Sequence, residues 1–353
     1  MKEITSRFGK DVLYSIEDFP KDASVFVTSA ACMSVTSDWL SVITASAKSG
    51  VKFVGSAEEA NILVVLGCQV TDLAVLNDVR LMESLHEQYP EKELFVGGCL
   101  AYRFDITLPD FVKRIEVQRV LGVELSKESN KLLKWQKPFW VKGKLGKEEL
   151  SNGNLFRDMY MLKIGAGCHG KCKYCTIRDT RGEGYEMEAE GQVEEFLNHM
   201  DKEGVVIISD SPTVKQIKDW CGIAKQYGKS ISFRNVEPLV TLACEEELMD
   251  LAKAGLLKIY HCPIQSNNPE LLAIMNRSAS STLDAIKVMD ELRVAGTKVA
   301  TNIIIDYVAD GKEYKNMDMD WLNEHFDYWS WNPYFDGNWN RAKAEERFEK
   351  YLG

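Results

Sequence analysis

What this sequence lacks narrows its chemistry before any motif is read. It has no excess of positive charge: 43 Lys and Arg against 53 Asp and Glu leave a formal charge of −10. Nucleic-acid surfaces take much of their affinity from cations that neutralise phosphates, so this balance argues against a general nucleic-acid-binding protein. The amino-terminal stretch MKEITSRFGKDVLYSIEDFP holds no apolar core of signal-peptide length, and no apolar run is long enough to span a bilayer. A cytoplasmic protein away from membranes is expected. There is no internal repeat and no low-complexity tract. In a reducing compartment, nine cysteines are better read as metal ligands, reactive thiols or small buried apolar residues than as disulfides.

What is present has the size and grammar of two domains. A chain of 353 residues exceeds one average domain. Before residue 125 the β-branched runs SVFVTSA, NILVVLGC and ELFVGGC are separated by helix-like stretches such as DLAVLNDVRLMESLHEQY, whose apolar residues recur at three and four positions. That alternation predicts a parallel sheet with helices on its faces. Seven lysines between Lys127 and Lys147, with Pro138, Gly143 and Gly146, read as a linker and as the strongest basic patch of the chain. From Tyr160 the alternation resumes through MYMLKIG, VVIISD, SISFRNV, LKIYHCPI, KVATNIIID and HFDYWSW. The expected organisation is an extension over 1–23, an α/β domain over 24–125, a lysine-rich linker over 126–156 and a partial (β/α)6 barrel over 157–353. In such folds ligands gather at the carboxyl ends of the strands.

The densest chemical signal is IGAGCHGKCKYCTIRDTRG, directly after the first barrel strand. Cys168, Cys172 and Cys175 fall within eight residues. A set of three thiolates suits an iron–sulfur cluster with one iron left open for another ligand. Zinc held by these cysteines and His169 is the alternative. Gly165, Gly167 and Gly170 favour the cluster, because they let the backbone approach a bulky inorganic core.

This spacing, with Tyr174 before the last cysteine, resembles the signature of the radical S-adenosylmethionine (SAM) enzymes. The TRG at Thr180–Gly182, together with NVEPL, CEEELMDL, CPIQSNNPELLAIMNR and TNIIID, resembles one branch of them, the methylthiotransferases. That branch carries a second three-cysteine set, one cysteine after each of three strands. Here Cys32, Cys68 and Cys99 follow the three amino-terminal runs, and strand ends of a parallel sheet share one edge. The resemblance covers roughly residues 24 to 340. It implies two [4Fe–4S] clusters and SAM: one cluster on Cys168, Cys172 and Cys175 that binds SAM and reduces it to a 5′-deoxyadenosyl radical, and an auxiliary cluster on Cys32, Cys68 and Cys99 that presents sulfur to the substrate radical. By the same comparison Glu237 and Gln265 would hold SAM, Arg181 would balance the charge of the cluster or the SAM carboxylate, and Tyr174 and Arg277 join the cofactor site. Cys221, Cys244 and Cys262 show no such pattern and read as buried small residues.

The departures from the family bear on the substrate. Val35 stands where the family has an asparagine, DYVADG replaces its Gly-rich turn after the fifth strand, and SDSPT replaces its polar Gly-Gln segment after the second. The carboxyl-terminal TRAM module typical of these enzymes has no room before Gly353. Instead, four of the eight tryptophans lie between Trp321 and Trp339, among Asn and Gly, a composition suited to peptide contacts. The resemblance and the acidic chain imply an enzyme that forms a C–S bond on a peptide or small protein, with a ribosomally made natural-product precursor as one case, served by an external electron donor such as flavodoxin or ferredoxin. The alternatives are a tRNA methylthiotransferase lacking its RNA-binding module and a noncatalytic iron–sulfur or zinc protein.

Overall fold

The structure, a computed structural model, describes residues 1–29, 31–46, 51–116, 132–135, 142–145, 148–150, 155–156, 159–199 and 204–352. It divides into two compact units: residues 1–140 with 337–353, and residues 141–336.

The first unit is built on an eight-stranded sheet. Its centre is β3 (Ser24–Ser29), β5 (Ile62–Gly67), β6 (Glu93–Gly98) and β7 (Val112–Ile115), all parallel, with β4 (Lys52–Val54) beyond β3. Every residue of β5 is buried. Strands covered on both faces carry continuous apolar runs rather than alternation, which is why ILVVLG forms this one. Helix α1 (Met33–Ser46) follows β3, and α2 (Asp72–Gln88) follows β5. The α2 helix starts at Thr71, whose hydroxyl accepts the Ala74 N–H at 3.0 Å, and it buries Val75, Val79 and Met82 against Leu63, Val65, Leu94 and Val96 of the sheet.

Two segments depart from the expected boundaries. Residues 1–23, read as an extension, supply an antiparallel pair, β1 (Lys2–Ser6) and β2 (Gly9–Tyr14), and β2 joins β7 in parallel. The helix Arg341–Leu352, expected in the second domain, belongs to the first unit: Arg341 pairs with Glu83 at 2.6 Å, Arg347 with Asp72 at 2.7 Å, and Trp339 packs against the core cluster under α2. Most of the lysine-rich stretch lies outside the described residues. Its described pieces are strands: β8 (Leu133–Trp135) extends the edge of β3, while β9 (Lys142–Leu145) and β10 (Glu148–Leu150) form a hairpin in the second unit.

The second unit is the expected partial barrel. Its six parallel strands are β11 (Tyr160–Lys163), β14 (Val205–Ile208), β15 (Ile231–Phe233), β16 (Leu257–His261), β17 (Lys298–Ile305) and β20 (Tyr328–Pro333), neighbours in that order, with β9 antiparallel to β20. Helices at Val214–Tyr227, Glu245–Lys253, Ala279–Val294 and Met319–His325 connect them, as the periodicity predicts. Two short antiparallel pairs decorate the carboxyl ends: β12 (Gly165–Ala166) with β13 (Tyr185–Glu186), and β18 (Val308–Ala309) with β19 (Lys312–Glu313), the latter being what DYVADG builds after the fifth strand. The aromatic carboxyl-terminal stretch is largely packed rather than free: Trp329 is buried with its Nε1 donating to Asn323 at 2.9 Å, and Trp321 lies against His325. No helix among the described residues is long and apolar enough to cross a membrane.

Candidate active site

The loop from Gly167 to Gly184 starts and ends at one place. Pairing of β12 with β13 brings its ends together, and the Cys168 N–H donates to Gly182 O at 3.2 Å. Gly167 has φ +75°, and a Cβ there would fall 2.3 Å from Glu183 O, so only glycine fits this closure. Inside the loop, Cys168 Sγ accepts the Gly170 N–H at 3.1 Å and Cys175 Sγ accepts the Ile177 N–H at 3.5 Å. Backbone donors aimed at sulfur favour the thiolate form. Against this, burial pushes the Cys172 thiol up and pushes Cys175 up to about 12, with the neighbouring thiols adding to both. The loop's middle is anchored by Lys173 N–H to Met275 O at 3.1 Å and by Asn276 Nδ2 to Lys171 O at 2.9 Å.

Three of the sequence-predicted partners meet beside this loop. Buried Arg277 donates through Nη1 to Tyr174 Oη at 3.0 Å and through Nη2 to Pro263 O at 2.9 Å, and Nη2 lies 3.0 Å from Glu237 Oε2. Glu237 precedes the helix Pro238–Ala243 after β15, and Tyr174 packs with Leu271, Met275, Tyr307 and Tyr314. Gln265 follows β16 with φ +67°. Its N–H donates to Asn302 O and its carbonyl accepts the Ile304 N–H, each at 2.9 Å, which fixes its backbone to β17. Arg181 is elsewhere on the same edge: its Nε donates to Asp210 Oδ2 at 2.5 Å.

Sequence reading missed four residues here. Asp210 lies in SDSPT after β14, where only its place at a strand end could have marked it. Lys163 closes β11, and a lysine inside MYMLKIG was the signal. Burial, and then the charge of Arg181, hold its ammonium down at about 7, with Asp210 opposing. His261 and Asn302, on β16 and β17, share a 2.6 Å hydrogen bond.

In the first unit the other three cysteines gather on the carboxyl edge of the sheet. Gly67 and Gly98 are in register on β5 and β6, so Cys68 and Cys99 leave neighbouring strands side by side. Cys32 lies three residues beyond the end of β3, where its carbonyl accepts the Thr36 N–H at 3.0 Å in the first turn of α1. Burial pushes the Cys68 thiol well up, and the charges of Cys32 and Cys99 are the next causes, so both thiols lie close to Cys68. The Cys68 N–H is held by Asp78 Oδ2 at 2.6 Å. Arg103, almost wholly buried, donates to Gln69 Oε1 at 2.8 Å and ties the residue after Cys68 to the turn that starts at Cys99. Cys221, Cys244 and Cys262 are buried, as expected of packing residues.

Two family profiles match. Residues 24–122 match "Uncharacterized protein family UPF0004" and residues 162–315 match "Radical SAM superfamily", one profile over each cysteine triad. With these two profiles side by side, the chain is similar to the radical SAM methylthiotransferases. Among methylthiotransferases, a ribosomal protein uS12 methylthiotransferase, RimO, of Acetivibrio thermocellus is 26% identical over 76% of this chain and 65% of its own length. A probable threonylcarbamoyladenosine tRNA methylthiotransferase of Pyrococcus horikoshii is 28% identical over 65% of this chain and 57% of its own. The chain thus spans less than two thirds of the length of either relative. Among solved structures, a radical S-adenosylmethionine methyltransferase, TsrM, of Kitasatospora setae aligns with TM-score 0.48 at 9% identity, over 80% of this chain and 68% of its own.

Radical SAM methylthiotransferases use SAM and two [4Fe–4S] clusters. The residues present fit that pair of clusters. Each unit offers three thiols brought together by the fold, at three strand ends in the first and in one closed loop in the second, and a bound iron core would favour the thiolate form of the ligands. Among the described residues no three His, Cys, Asp or Glu converge closely enough to hold a metal ion, the cysteine triads included. The imidazole of His169 instead lies against Gly184, where a Cβ would be 2.4 Å from its Nε2.

Proposed function

We propose that this chain forms a C–S bond at an unactivated carbon of a peptide or small protein, a ribosomally made natural-product precursor being one such substrate. The observation that carries the reading is the second triad: Cys32, Cys68 and Cys99 on one sheet edge are what a sulfur-inserting enzyme needs beyond the SAM-binding triad. The net charge of −10 favours a peptide over tRNA.

In this reading Cys168, Cys172 and Cys175 would hold the SAM cluster, and Cys32, Cys68 and Cys99 the auxiliary one. The chemistry supplied by the bound clusters is one-electron reduction of the SAM sulfonium at the first and delivery of sulfur at the second. The protein's own part is positional. Arg277 keeps Tyr174 and Glu237 in one hydrogen-bonded set at the mouth of the barrel, where Glu237 and Gln265 would orient SAM. The packing of Tyr174 among Leu271, Met275, Tyr307 and Tyr314 excludes water from one side of the loop. The exposed side chains of Lys171 and Lys173 give the loop a cationic outer face, suited to an acidic one-electron carrier such as flavodoxin or ferredoxin in the cytoplasm.

The test is an anaerobic count of iron and acid-labile sulfide on reconstituted protein, repeated on Cys32→Ala/Cys68→Ala/Cys99→Ala. About eight irons falling to about four are expected. About four in both would remove the auxiliary cluster and with it sulfur insertion. Substrate class is read by the salt dependence of binding: steep loss of affinity with added salt would transfer the reading to RNA.

A further inference from the structure

Asp210 stands two residues beyond the end of β14 and is as buried as the arginine it meets, each side chain being 4% exposed. One of its oxygens, Oδ2, accepts two hydrogen bonds, from the backbone N–H of Gly167 at 2.8 Å and from Nε of Arg181 at 2.5 Å. Gly167 immediately precedes Cys168. Arg181 ends the short helix Ile177–Arg181 that follows Cys175. A single carboxylate therefore grips both ends of the segment that carries the three thiols.

The loop does not need Asp210 to close, because the β12–β13 pairing and the bond from Cys168 N–H to Gly182 O already do that. What the carboxylate adds is a connection between the closed loop and the second strand of the barrel. Charge-assisted bonds of this length between buried groups are stiff and costly to lose.

We propose that Asp210 is a positioning residue for the thiol triad, fixing the cysteine loop to the carboxyl end of β14 so that Cys168, Cys172 and Cys175 are held ready for a cluster. The inference rests on the reading above that this triad holds one. Asp210 acts here through the geometry of its acceptor oxygen and not merely as a counter-charge to Arg181. The two roles part on substitution: asparagine keeps an acceptor of the same shape and loses the charge, whereas alanine loses both.

The experiment uses the full chain in the Cys32→Ala/Cys68→Ala/Cys99→Ala background, so that only one cluster is counted. Asp210→Ala and Asp210→Asn are reconstituted and compared with the background protein. The readouts are iron retained after desalting, the electron paramagnetic resonance spectrum of the dithionite-reduced protein with and without SAM, and the thermal midpoint without metal. Asp210→Ala is expected to hold iron about tenfold more weakly, the usual scale for loss of a group supporting a metal ligand, and to lose the spectral response to SAM. Asp210→Asn is expected to recover most of both. Wild-type-like iron and spectra in Asp210→Ala would overturn the proposal. So would Asp210→Asn behaving no better than Asp210→Ala, since that is the mark of charge compensation alone. If Asp210→Ala fails to fold, Asp210→Ala/Arg181→Met, which removes the arginine's charge along with its partner, takes its place in the iron count under the same two criteria. Absence of iron from the background protein itself would sink the cluster reading instead, and is distinguishable from failure of the Asp210 proposal.

Discussion

Gly67 and Gly98 face each other in register on β5 and β6, so closely that a Cβ on Gly98 would fall 2.6 Å from the Gly67 carbonyl oxygen. Gly98 also has φ +72°, a conformation that costs an L side chain about 1–3 kcal/mol. This close approach is what brings Cys68 and Cys99 together. We expect Gly98→Ala to destabilise the metal-free protein by about 2 kcal/mol or more and to weaken iron retention at the first-unit triad. Gly67→Ala should cost less, because it adds no positive-φ strain, although its methyl would still lie 2.8 Å from Leu100 Cβ. Urea unfolding with iron counting checks both; equal effects would mean that the backbone contact is not what limits the site.

The parts of this architecture that were legible share one physical cause. Parallel strands buried on both faces need unbroken β-branched runs, so ILVVLG and VVII announce themselves, and a cysteine at the end of such a run is placed on the functional edge by topology alone. The illegible parts are those whose partners lie far off in sequence. RAKAEERFEKYL is a charged helix with little apolar signal, and its attachment to α2 depends on Asp72 and Glu83, more than 250 residues earlier. The β1–β2 pair is mostly exposed and polar, so nothing in KEITS or GKDVLY shows that it closes a sheet edge. Asp210 was hidden for a different reason: a single acidic residue after a strand usually faces water, and only the fold brings Gly167 and Arg181 to it.

Arg277 and Glu237 are unequally buried, with side chains 4% and 34% exposed. Removing the more exposed partner should therefore hurt more, because it strands the buried charge. We expect Glu237→Gln to cost about 3 kcal/mol and Arg277→Met nearer 1 kcal/mol, since water takes over part of the freed carboxylate's hydrogen bonding and methionine fills the space. Denaturant unfolding of both variants tests the order. The reverse order would show that the bonds of Arg277 to Tyr174 and Pro263 dominate.

His261 is neutral by construction. Its Nδ1 faces the backbone N–H of Asn235 at 3.1 Å and must accept, so Nε2 carries the proton and donates to Asn302 Oδ1 at 2.6 Å. Burial, with the nearby charge of Arg234, lowers its pKa from 6.5 to about 3. With the folded value below the unfolded one, the unfolded chain binds the proton first as pH falls. The histidine costs nothing above pH 6.5, and its cost grows down to about pH 3. His261→Gln should therefore flatten the acid side of the stability profile by up to about 1.4 kcal/mol per pH unit in that window. Parallel profiles for the two proteins would show that His261 titrates normally.

The two arginines that fasten the last helix to α2 should differ for the same reason that buried and exposed ion pairs differ. Arg341 and Glu83 are 48% and 37% exposed, so Arg341→Ala is expected to cost about 0.5 kcal/mol. Arg347 meets Asp72, whose side chain is 8% exposed and whose carboxyl is raised by burial against the pull of that arginine. Arg347→Ala strands this carboxylate and should cost about 1–3 kcal/mol at neutral pH. Because Asp72 titrates higher when folded than when unfolded, the penalty is present above its folded pKa and shrinks as pH falls and the carboxyl takes up a proton. Urea midpoints of the two variants at neutral and mildly acidic pH measure this; a penalty for Arg347→Ala that stays constant with pH would mean that lost packing of the arginine stem, not the stranded charge, is what the substitution removes.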